Sequence, residues 1–294
     1  PSRHIMLEML MNPKKAERKP IEMLFIGLLY SSLSVLLVKM VFGKDPVLSQ
    51  YSGIFMITFC VIFSIPFMYY MIKLEEQRDL QEDETPFRLL KEHSRAIMAL
   101  LWLFVGFIIA FSFWYIVLPD GEINFKAQIE TFCHINHPSD FETCVSQYLN
   151  PQINSNSVTG AVASTDRVIA IFANNSYVLM FTLFFSLIFG AGAIFILAWN
   201  ASVIAAAIGI FAKSQISNIP LGVMRYMIHG IPEIAAYFIA ALAGGILSVA
   251  IIRRKSAGDR FWSVVQDSLN MIVVAIVILL LAALIEVFIT PIIF

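Results

Sequence analysis

Charge is the scarcest feature of this chain. Asp, Glu, Lys and Arg supply 14% of its 294 residues, against about 25% in an ordinary soluble domain. Neither sign is in excess, with 20 basic and 21 acidic residues and a formal net charge of −1. A nucleic-acid partner is therefore not expected, because polyanion binding needs a basic face. Cysteine is rare as well, at three residues, too few for a small domain framed by disulfides. The long apolar runs, such as AIVILLLAALI, show no polar–apolar alternation, so the strands of a membrane barrel are excluded. Internal repeats and low-complexity stretches are also missing. Apolar residues are what is abundant, at 59%, with a mean hydropathy of +0.78. A soluble globule of this size could not hide that much apolar surface. The remaining class is an all-α polytopic membrane protein.

About seven segments are expected to enter the bilayer, six of them long enough to cross it. A span needs about twenty apolar residues, and six runs meet that requirement: 21–42, 51–72, 97–118, 176–199, 231–252 and 271–294. Pro20 opens the first, Pro66 marks a kink inside the second, and Pro119-Asp120-Gly121 stops the third. A seventh run, 200–211, is short. Twelve residues of helix rise about 18 Å, less than a hydrocarbon core of about 30 Å. The sequence therefore predicts a tight turn at Trp199-Asn200, a short fifth helix, and a re-entrant or interfacial piece over 219–230. One continuous helix over 176–212 is the alternative. The first apolar run is too long for a cleavable signal and lacks a small-residue cleavage site.

Orientation follows from Lys and Arg. Fourteen of the 20 lie in the N-terminal arm, in loop 73–96 and in loop 253–270, all on one side of the predicted spans. That side is read as cytoplasmic, at a multi-pass cell membrane. The N-terminus is then inside, and the long loop 119–173 is extracellular. Residues 1–96 read as a two-helix hairpin with an amphipathic cytoplasmic loop, and 97–294 as a five-segment membrane domain. Phe87, Leu89, Leu90 and Ile97 suggest an interfacial helix before the third span. Phe261 and Trp262, beside Arg254 and Arg260, suggest a second membrane-surface anchor.

Cys133 and Cys144 both fall in the outer loop, where an oxidising exterior favours a disulfide. His134 and His137 lie between them, but Cys-His-His-Cys at this spacing does not match a common structural zinc site. Cys60 lies within the second span and reads as a small apolar side chain. The stretch Gln152–Thr165 reads as a flexible polar linker.

Ionisable groups in hydrocarbon cost about 2.5–3.5 kcal/mol each, so they demand a reason. His229, Glu233 and Glu286 are the candidates. His229 and Glu233 are four apart, on one helical face, and Pro232 places Glu233 at a helix start, where the dipole favours its charge. With the sixth helix running inward and the seventh outward, Glu233 lies about 28 Å from Ile252 and Glu286 about 22 Å beyond Met271. Both then sit in the outer half of the bilayer. Depth alone leaves open whether they share a proton, metal or solute site or form a structural cluster joining helices. Asn200 is read as a cap for the short helix after it. Ala236, Ala240, Gly244 and Ser248 form a small-residue stripe for close helix packing, internal or against a second copy of the chain.

The combination of Phe172-Ala173-Asn174-Asn175, Trp199-Asn200, His229-Gly230-x-x-Glu233 and Glu286-x-Phe288-x-Thr290-Pro291 resembles the stage II sporulation protein M family. The resemblance covers 97–294, about two thirds of the chain. It carries over Asn200, His229, Gly230, Glu233, Glu286, Thr290 and Pro291 as motif positions. Asn200-Ala201 departs from the Asn-Gly usual in the family. The resemblance implies a membrane anchor or scaffold, since the founding member acts with peptidoglycan-remodelling partners. Relatives in organisms that form no spores show that sporulation itself is not implied.

Three functions follow as expectations. The first is a non-enzymatic scaffold for another membrane or envelope protein. The second is a transporter or channel with a proton- or cation-binding site at His229, Glu233 and Glu286. The third is an intramembrane metalloenzyme using the same three residues as ligands. No hydrolytic motif appears, so no catalytic residue, resident metal or cofactor is assigned, and the bilayer is the one certain partner.

Overall fold

The computed structural model describes residues 19–79, 86–136, 140–149, 164–189, 193–214, 219–252 and 259–293. The helices are α1 (Glu22–Phe42), α2 (Ser52–Asp79), α3 (Pro86–Val117), α4 (Gly121–Asn124), α5 (Lys126–Asn136), α6 (Phe141–Leu149), α7 (Ser164–Phe189), α8 (Ala193–Ser214), α9 (Ile219–Ile252), α10 (Asp259–Leu284) and α11 (Thr290–Ile293). A π-helical segment, Ile285–Ile289, joins α10 to α11. No strand occurs among the described residues. Lipid offers no partners for backbone polar groups, so each apolar run closes its own hydrogen bonds as a helix. Among the described residues, seven helices are long and apolar enough to cross a membrane.

The fourth and fifth spans differ from the sequence expectation. The chain does not turn at Trp199-Asn200, and 176–212 is not one helix. The break falls between Phe189 and Ala193, at Gly190-Ala191-Gly192, which lies outside the described residues. Asn200 sits inside α8 and caps nothing, because its Nδ2 donates to the Ile196 carbonyl at 2.7 Å. An asparagine satisfied in this way can stay in a helix, whereas glycine raises the helix's entropic cost. The 22 residues of α8 rise about 33 Å, a full span. Nor is 219–230 re-entrant: α9 runs unbroken through 34 residues with Pro232 inside it. Glu233 is therefore mid-helix, and the dipole argument for its charge does not apply.

The two expected interfacial helices are likewise continuations of spans. α3 begins at Pro86 and α10 at Asp259. Side chains of residues 76–92 lie outside the described set, as do His137, Asn218 and residues 150–163 of the polar linker. The outer loop contributes α4, α5 and α6. This cap is fastened to the span ends at three points. Asp120 pairs with Lys39, Glu122 pairs with Lys213 at 2.6 Å, and Gln128 Nε2 donates to the Gly53 carbonyl at 3.1 Å.

Small residues let helices close on one another. Gly27 of α1 faces Gly106 of α3, and a Cβ on Gly106 would lie 2.4 Å from the Leu24 carbonyl oxygen and 2.9 Å from the Gly27 Cα. The stripe on α9 is buried throughout. Gly244 faces α7, where an added Cβ would meet the Leu183 carbonyl oxygen at 2.8 Å. Two turns of α7 are pinned there by Ser186 Oγ, which donates to the Ala241 carbonyl at 2.5 Å. At the opposite end from the cap, Glu75 of α2 pairs with His93 of α3, both fully buried. Leu29, Leu33 and Leu36 of α1, with Tyr177, Met180 and Phe184 of α7, form exposed apolar faces that suit a lipid surround.

Candidate functional site

Helices α3, α7, α8 and α9 meet around a cavity of about 390 Å³, with the π segment closing one side and α5 the outer end. That volume lies within the range of small-molecule sites, about 300–1,000 Å³. Its inner wall is apolar, built from Leu101, Phe104, Val105 and Ile108 of α3 and Val203, Ile204 and Ala207 of α8. Its polar groups come from other elements. Asn174 and Asn175 stand on α7, Trp199 and Asn200 on α8, His229, Glu233 and Tyr237 on α9, and Glu286 on the π segment.

The structure thus brings together all four intramembrane residues singled out from the sequence: Asn200, His229, Glu233 and Glu286. Helical spacing puts His229 and Glu233 on one face of α9. Asn175 Nδ2 donates to Glu233 Oε1 at 2.6 Å, tying α7 to α9. Glu233, Glu286 and Tyr237 are within electrostatic range of one another. Gly230 also lines the cavity, and a Cβ there would meet nothing within 4 Å. Its role is to leave space, not to allow a close approach.

Glu286 owes its setting to the two residues that end its motif. Pro291 has no N–H and its ring crowds the carbonyl four residues back, so α-helical bonding cannot continue through it. The Thr290 N–H donates instead to the Ile285 carbonyl, five residues back, and Thr290 Oγ1 donates to the same oxygen at 3.2 Å. The result is a π turn, a feature that often marks functional positions in helices. Thr290 and Pro291 therefore shape the segment that carries Glu286 and do not themselves line the cavity.

Above the cavity, Thr131 and Phe132 of α5 form the roof. The next residue, Cys133, is joined by a disulfide to Cys144 of α6. Both thiols are thereby committed, which removes them as metal ligands. The remaining sequence candidates lie elsewhere, with Ala236, Ala240, Gly244 and Ser248 buried along α9, outside the cavity lining.

Three participants were not singled out as site residues. Asn174 and Asn175 are polar positions on an otherwise apolar span, and that alone was a usable signal. Tyr237 is one helical turn beyond Glu233 on the same face, but an aromatic residue in a membrane helix gives no such signal. A separate polar pair, Glu75 with His93, was hidden because 73–96 reads as a solvated loop.

The family model for stage II sporulation protein M matches residues 57–291. No curated protein and no solved structure matches the chain. The family match spans every element that lines the cavity, from α3 to the π segment. The chain belongs to the stage II sporulation protein M family.

Proposed function

We propose that this membrane protein binds a small polar or cationic solute in the cavity and carries it across the bilayer, with His229, Glu233 and Glu286 as the coupling site. On sequence alone the scaffold reading stands first. The convergence of those three residues with Asn175 and Asn200 on one cavity supports reversing that order. A scaffold needs surfaces and dry helix contacts, whereas polar groups held around open volume in hydrocarbon carry a cost that binding offsets. The proposal gives these side chains the work of holding a ligand and a proton, with no bond-breaking step.

The proposed orientation places the cap α4–α6 outside and the Glu75–His93 end in the cytoplasm, supported by the basic residues flanking the latter. The cavity then lies in the outer half of the bilayer. The test is flux of protons, alkali cations and small amines into proteoliposomes. Glu286→Gln should lower the rate at least about tenfold, the loss of about 1.4 kcal/mol of binding to the charged form. Rates equal to those of protein-free vesicles across that set would overturn the proposal. Labelling of Cys133 and Cys144 by an impermeant thiol reagent, after reduction, should succeed in intact cells. Labelling confined to broken cells would reverse the orientation.

A further inference from the structure

The cavity reaches the lipid-covered side of the bundle. Phe181 lines it, yet is 56% exposed, and Ile231 lines it at 48% exposed. Phe181 lies well inside the span Arg167–Ile188, so an opening there meets acyl chains and not water. The exposed rim there is carried by Phe181 of α7 and Ile231 of α9.

The lining also has a sign. It holds two carboxylates, a histidine, three asparagines and a threonine, and no Lys or Arg. Acids in a medium of low dielectric repel an anion strongly. An uncharged hydrocarbon would leave their desolvation uncompensated. A cationic head with N–H donors answers both, and it would be framed by Phe104, Phe132, Trp199 and Tyr237, whose ring faces attract cations. A bare ion would leave most of the volume and the whole apolar wall of α3 unused. We infer that the cavity takes an amphiphilic ammonium compound that arrives from the bilayer past Phe181 of α7, its head at Glu233 and Glu286 and its chain along α3. This rests on the reading of the cavity as a ligand site and adds the ligand's class and route.

The experiment uses the full chain in nanodiscs of phosphatidylcholine and a decylamine bearing a diazirine on its chain. Photolabelling is mapped by mass spectrometry. Labels should concentrate on 101–108 of α3 and 171–181 of α7, at least about tenfold over the lipid-facing Leu29–Leu36 stretch of α1, the contrast of a site stronger than membrane partitioning by about 1.4 kcal/mol. Excess decylamine or decyltrimethylammonium should remove the selective labels, whereas decyl sulfate and decanol should not. This competition needs no variant, so it stands even if Glu233→Gln/Glu286→Gln fails to fold; where that variant folds, it should lose the selective labels. Val178→Trp, which fills the cavity one helical turn from Phe181, should lose them as well. Equal competition by decanol or decyl sulfate, or even labelling of all helices, would overturn the inference. Flux of small cations without selective labelling would sink the ligand class and leave transport standing. Selective labelling without flux would do the reverse.

Discussion

Helix α3 presents two faces that solve opposite problems. Toward α1, Gly106 lies against Gly27 so closely that neither can carry a side chain. Toward α7, Phe104, Val105 and Ile108 wall a cavity. In lipid no hydrophobic force draws helices together, so close packing needs small residues and hollow space needs large ones held apart. The polar groups that line the cavity gather on the hollow side, where a ligand or water can satisfy them. At the other end of α3, the pair Glu75 with His93 lies wholly out of contact with solvent.

Those two kinds of buried acid should respond differently to removal, and the largest effect is expected at the Glu75–His93 pair. Glu75→Ala leaves His93 buried without its carboxylate, and breaking a buried pair in this way costs about 3–5 kcal/mol. Glu233→Ala removes a hydrogen bond from Asn175 but leaves that amide facing open volume, so a loss of about 1–2 kcal/mol is expected. Unfolding titrations of both variants in mixed micelles give the comparison. Equal losses would mean that the cavity is as dry as the Glu75 contact.

Glycines give the next contrast, with opposite signs. Gly106→Ala drives a Cβ into a backbone carbonyl 2.4 Å away, and overpacking of this kind costs about 1–3 kcal/mol. Gly230→Ala meets open space and gains helix propensity, so it should stabilise the fold by up to about 1 kcal/mol. The same change narrows the proposed ligand site, so the flux should fall while the melting temperature rises. A destabilised Gly230→Ala would show that α9 is closed there by something other than a ligand.

How much of this was readable beforehand depended on the scale of the signal. Six of the seven crossings were expected from apolar run length, which is a property of lipid thickness and survives any detail of packing. Depth arithmetic put Glu233 and Glu286 at a similar level, since a helix rises by a fixed amount per residue, but it left open whether their helices meet. The turn between the fourth and fifth spans was misplaced because Trp199-Asn200 looked polar enough to break a helix. Its amide is satisfied within α8, so that helix continues through it, and α7 ends earlier, at Phe189. Pro232 was read as a helix start, although a membrane helix can tolerate an internal proline. The π turn at Glu286 was not visible as such. Thr290 and Pro291 carried it, and only the five-residue hydrogen bond to Ile285 reveals why they stand there.

The smallest expected effect lies outside both faces of α3, in the turn between α1 and α2. Asp45 Oδ1 accepts the N–H groups of Val47 and Leu48, each at 2.8 Å. Those two bonds hold its carboxyl below the usual carboxylate range. The sign follows: a lowered folded value means that the contribution is full above the unfolded value of about 3.9 and fades as pH falls through the folded one. Because Asp45 is exposed, the consequence should stay local, seen as faster hydrogen exchange at Val47 and Leu48 on acidification. Asp45→Ser keeps an acceptor without the charge, so its exchange should follow only the ordinary acid dependence of an amide. Amides of α9 near Glu233 should not follow the Asp45 transition, since Asp45 is not among the residues that line the cavity. If they do, the outer ends of α1 and α2 are coupled to the hollow side, and the division of α3 into a sealed face and an open one is too sharp.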